Sequence, residues 1–111
     1  MQLSSLLRPE KVKNYQKTVL KEAVIKFYDK CLKVQMYDLG KLNGIVLPTS
    51  KAGLDGTYYG GEQLIEKAET AGVDLTEIAH DVLRQLMKMG WEDAWCGGKG
   101  DQYIINLTGV E

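Results

Sequence analysis

The chain has 111 residues, 44% of them hydrophobic and 26% charged, with a formal net charge of −1. One domain that buries about 65% of its unfolded surface fits that length, and a second core does not; two prolines and no low-complexity run weigh against disorder. No stretch approaches the ~20 apolar residues of a bilayer span, and Met1–Arg8 lacks a basic start followed by a long apolar segment, so a cytoplasmic protein without membrane contact is expected.

Pro9 and Glu10 suit the first turn of a helix, where the missing proline N–H costs nothing and a carboxylate meets the positive dipole end. From Val12 onward Tyr15, Val19, Leu20, Ala23, Val24, Phe27, Tyr28, Cys31 and Leu32 recur at spacings of three and four, which predicts a long helix over 9–34. A run spaced by four drifts about 40° per turn, so Val12, Tyr15 and Val19 define one face and Tyr28, Cys31 and Leu32 another. One helix then serves two surfaces: either it bends, or its first half packs on a partner such as the same helix of a second subunit. Residues 1–35 carry eight basic and three acidic side chains, net +5, and residues 36–111 carry six and twelve, net −6. Such a dipole favours head-to-tail self-association, or an anionic partner that meets the first helix only.

Gly40, Asn43-Gly44 and Pro48 interrupt the helical pattern, and Ile45-Val46-Leu47 suits a short buried or edge strand. Thr49–Gly61, rich in glycine and containing Tyr58-Tyr59, reads as a loop. Helix resumes at Glu62 and stops near Gly72. Asp74 and Glu77 form a capping box for the next helix. Leu75, Ile78, Ala79, Val82, Leu83, Leu86 and Met87 give that helix one clean apolar face, ended by Gly90.

Beyond Gly90 the period becomes two. Trp91–Cys96 and Tyr103–Leu107 alternate around Gly97-Gly98-Lys99-Gly100-Asp101, which predicts a β-hairpin. An odd loop would place Trp91, Trp95, Tyr103, Ile105 and Leu107 on one buried face; a two-residue loop would mix the faces.

The order helix, strand, helix, helix, hairpin resembles the winged-helix superfamily. The resemblance is carried over 62–109, where Leu83-x-x-Leu86-x-x-x-Gly90-Trp91 resembles a recognition helix turning into a first wing strand, and Tyr103-x-Ile105-x-Leu107-Thr108-Gly109 is similar to a closing strand. It implies an α+β, winged-helix-like single domain, 1–111, with 62–109 as the helix–helix–hairpin unit. It also implies nucleic-acid contact by Thr76, His80, Arg84 and Lys88 in the major groove and by Lys99 at the wing tip. Glu77 and Asp81 share that helix face and oppose phosphate, and Asp81 with Arg84 equally suits a solvated, ion-paired surface.

Nothing in the pattern marks an enzyme. His80 is the sole histidine and has no neighbouring carboxylate or cysteine at ligand spacing, and the glycine cluster lacks the spacing of a phosphate-binding loop. Cys31 and Cys96 are too far apart in sequence for a Cys-x-x-Cys pair and read as reduced thiols, so no metal and no cofactor are expected. The expectation is a nucleic-acid-binding accessory factor of transcription or replication, homodimeric through its first helix, with DNA as partner. The alternative is a protein-interaction module on the same scaffold with a protein partner, compact enough to suit a virus or mobile element.

Overall fold

A computed structural model describes residues 4–54, 61–97 and 100–108. The elements run α1 (Pro9–Lys33), β1 (Ile45–Pro48), α2 (Gly61–Thr70), α3 (Leu75–Lys88), β2 (Trp95–Cys96) and β3 (Gln102–Asn106), an α+β arrangement with one antiparallel sheet in the order β1-β3-β2. No helix among the described residues is long and apolar enough to cross a membrane.

Pro9 stands in the first turn of α1 with Glu10, and Lys30 and Lys33 fill its last turn, as the dipole favours. A π-helical turn, Val34–Asp38, prolongs it. Only the second half of α1 enters the core, through Val24, Phe27, Tyr28, Cys31 and Leu32. Tyr28 is fully buried, and its hydroxyl donates to the Pro48 carbonyl at 2.6 Å, which ties α1 to the end of β1. The first half keeps Tyr15 71% exposed. The face of Tyr15 and Val19 thus takes no part in the core.

Gln35 of the π-helical turn is the one buried polar residue among those described. Its Nε2 donates to the Val46 carbonyl and its Oε1 accepts from the Val46 N–H, both at 2.8 Å. The side-chain amide thus takes the place of a neighbouring strand on the outer edge of β1, an edge otherwise open to foreign pairing. The opposite edge of β1 pairs with β3, setting Ile45 against Ile105 and Leu47 against Tyr103 on the buried face.

Helix α3 follows the predicted pattern except at one residue: Asp74 accepts from the Glu77 N–H, and Leu75, Ile78, Ala79, Val82, Leu83 and Leu86 are buried, while Met87, assigned to the same face, is exposed at its edge. Helix α2 begins at Gly61, where a Cβ would lie 2.2 Å from the Phe27 ring, so the bare backbone lets that ring pack directly on the helix start. The segment read as a loop over 49–61 contains a 3-10 turn, Lys51–Leu54; Tyr58 and Tyr59 lie outside the described residues.

The hairpin differs from expectation. Strand β2 has only two residues, and Trp91–Asp93 form a turn in which the Ala94 N–H donates to the Trp91 carbonyl. Trp95 lies opposite Asn106 and Cys96 opposite Ile105, odd facing even, which is the register of an even loop. Cys96 therefore shares the inner face with Ile105, while Trp95 is 42% exposed on the other side, its ring beside Gly97. The single buried face proposed for Trp91, Trp95, Tyr103, Ile105 and Leu107 is thus wrong at Trp95. Because β1 supplies Ile45 and Leu47 from the other side of β3, the inner face is filled without either strand tryptophan. Trp91 packs partly buried against the core from its turn. Both cysteines are free thiols, and burial pushes the Cys31 thiol up to about 12.

Candidate nucleic-acid interface

Helices α2 and α3 are joined by Ala71-Gly72-Val73-Asp74. The Val73 N–H returns to the Ala68 carbonyl at 2.9 Å, and Gly72 sits at φ +78°, the left-handed conformation that closes a helix. The two helices are thus joined by a short glycine-containing turn, with Asp74 starting the second helix immediately.

With six apolar residues turned inward, α3 presents Glu77, Asp81, Arg84 and Lys88 along one ridge at helical spacing. Two acids and two bases leave the ridge electrically balanced. Arg84 pairs with Asp81 through its Nη2, and Lys21 of α1 approaches the other Asp81 oxygen at 3.9 Å. The hydrogen bond from Arg84 holds the Asp81 carboxyl below its usual range; partial desolvation opposes this, and the charges of Arg84 and Lys21 assist it. Lys17 stands one turn earlier on α1, its side chain over Gly72 of the connection.

The other flank of α3 faces the sheet. His80 Nδ1 lies 2.7 Å from the Tyr103 hydroxyl, and the two rings meet edge to face with centroids 4.9 Å apart. Tyr103 itself is buried, which drives its hydroxyl pKa upward. One edge of the imidazole is thus committed to β3, and the rest of His80 is exposed.

Thr76, His80, Arg84 and Lys88 are all exposed on α3, with Thr76 and His80 toward the sheet and Arg84 and Lys88 on the outer ridge. Lys99 lies outside the described residues. The fold adds what the pattern left unsorted: among the lysines of α1, Lys17 and Lys21 run beside α3 and the connection. Their spacing of four, shared with Lys13, was the available signal. Lys13 and Lys17 also border an open groove of about 1010 Å³ between α1 and α2, with Leu20, Gln63, Glu66 and Thr70 on its walls. Among the described residues no three His, Cys, Asp or Glu side chains group as a metal site would require.

No protein-family model, curated protein or solved structure matches the chain.

Proposed function

We propose that the protein is a winged-helix nucleic-acid-binding factor that lays α3 against duplex DNA and neutralises phosphate with the α1 lysines beside it. The observation that carries this reading is the exposed second helix of a helix–turn–helix unit, flanked by Lys17 and Lys21, within the order α1-β1-α2-α3 and a sheet ordered β1-β3-β2. Arg84 and Lys88 serve as donors to base edge or phosphate, and Thr76 and His80 as contacts on the sheet side. Lys17 and Lys21 add two positive charges to a ridge that is neutral by itself, and phosphate attraction supplies most non-specific affinity.

Fluorescence anisotropy of a labelled pool of random duplexes tests it. Binding is expected at low salt, weakening as salt rises, with Arg84→Ala and Lys21→Ala each reducing affinity about threefold to tenfold and flattening the salt slope by about one. No binding at low salt, or binding indifferent to both substitutions, removes the reading.

A protein-interaction role on the same scaffold draws support from the Asp81 ion pairs, which occupy the two nearest cations, and from exposed Tyr37, Leu39 and Met89. Under that reading Arg84→Ala leaves duplex binding unchanged.

A further inference from the structure

The first half of α1 projects from the core, and with α2 it walls the open groove of about 1010 Å³. Helix α2 runs antiparallel beside it, since Gly61 starts α2 against Phe27 and Gly72 follows its end beside Lys17. Two kinds of side chain share the groove. Tyr15 and Val19 are exposed at 71% and 44%, and Leu20 is partly buried next to them. Lys13 and Lys17 of α1 and Lys67 of α2 stand among these apolar groups, and none of the three has an ion-pair partner among the described residues. Glu66 is the one acid on the described walls. It is held by Lys51, as is Glu62, while Glu69 accepts from the Lys51 N–H. Around α1, Glu10 and Glu22 border the groove, but Arg8, Lys11, Lys21 and Lys26 outnumber them, and of those four bases only Lys21 has an acidic neighbour, Asp81.

We propose that the groove receives an acidic amphipathic helix of a partner protein, its apolar face on Tyr15, Val19 and Leu20 and its carboxylates on Lys13, Lys17 and Lys67. The walls select a helical occupant. Both are helices whose backbone groups are paired internally, so the groove offers no strand edge, and an extended segment would bring N–H and C=O groups that find few partners there. A helix arrives with its backbone satisfied and packs on the other two by ridge and groove. Charge selects an acidic one. A second copy of this chain would bring its own Arg8, Lys11 and Lys26 to the same bases, with Glu22 alone beside them to offset the repulsion. A duplex or a flat lipid surface would meet the lysines at the rim without filling the apolar wall between the two helices. On α2, Gln63 and Thr70 flank Glu66, so toward that wall the partner helix presents neutral polar side chains rather than acids.

The probe is a labelled, end-capped peptide of about 18 residues, roughly five helical turns, with leucines along one face and glutamates flanking them. Fluorescence anisotropy reads its binding to the full chain. Saturable binding that weakens as salt rises is expected, and a peptide of the same composition with the pattern scrambled binds at least about tenfold more weakly. Lys13→Glu with Lys67→Glu weakens binding at least about tenfold, and a peptide with lysine in place of each glutamate recovers affinity for that variant to within about threefold. Val19→Glu weakens the original peptide about tenfold. Because none of these side chains belongs to the core, circular dichroism and the melting temperature of the variants stay those of the parent chain. No binding into the submillimolar range overturns the proposal, as does binding indifferent to the substitutions, or a charge-swapped pair that fails to recover. So does duplex DNA or a phosphatidylserine vesicle that loses affinity with Val19→Glu while the peptide stays unbound, since nucleic acid or lipid would then be the occupant. Duplex binding by α3 is read through Arg84→Ala in its own assay, and its presence or absence leaves these outcomes unchanged.

Discussion

The two halves of α1 are built from the same kinds of residue, and they meet opposite fates. From Val24 on, each apolar side chain finds α2, α3 or β1, whereas Tyr15 and Val19 stay exposed along the open groove between α1 and α2 and take no part in the core. Apolar periodicity identifies a face that avoids water; which neighbour covers it depends on where the rest of the chain ends up. Stability should divide along the same line. Phe27→Ala empties a site packed on Gly61 and is expected to cost about 3–5 kcal/mol in urea unfolding, while Tyr15→Ala changes monomer stability by less than about 0.5 kcal/mol. A similar cost at both positions would mean that the projecting half packs on its own domain.

Gln35 lies at the far end of the same helix, and its effect should come next. Gln35→Leu removes both bonds to Val46 and leaves a strand-edge N–H and carbonyl without their partner, a loss of about 2–3 kcal/mol. The same change uncovers the edge of β1, so thioflavin-positive aggregation should rise with it. A smaller loss belongs to Tyr28→Phe, which keeps the buried ring and deletes only the bond to Pro48; about 1–2 kcal/mol is expected from the same unfolding measurement.

The contrast also separates what the amino-acid pattern contained from what it did not. Helix α3 was legible apart from Met87, which is exposed at the edge of the face assigned to it, because its cap, its apolar face and its terminal glycine are all local. The strand at Ile45 was legible as a strand, but its partner was not: it pairs with residues near 105, a choice made by burial across the whole chain. That pairing in turn settled the hairpin. With Ile45 and Leu47 already filling the inner face, the short β2 could offer Cys96 to the core and leave Trp95 outside, so residue size proved a poor guide to register. The role of Gln35 was illegible, since a glutamine in a helical run reads as surface until a strand edge lies against it. At the candidate interface the Asp81–Arg84 pair followed from helical spacing, while the arrival of Lys21 at the same carboxylate required the packing of α1 on α3.

That three-residue cluster yields the smallest predicted effect. Because the folded protein holds the Asp81 carboxyl below its ordinary range, the ion pairs contribute above the unfolded carboxylate pKa and fade as acid carries the pH down through the lowered folded value. Between pH 5 and 8 they should be constant, and an NMR titration of the Asp81 carboxyl checks the direction of the shift. Asp81→Asn removes this acid-side dependence and frees Arg84 and Lys21 together. If α3 meets phosphate, freeing them should tighten duplex binding about threefold at fixed salt, because two cations formerly shared with a carboxylate become available to the backbone. If the ridge is instead a surface for protein, the neutral side chain leaves duplex binding where it was, and the geometry of Asp81 becomes a reason to look for a basic partner that replaces Arg84 at its oxygens.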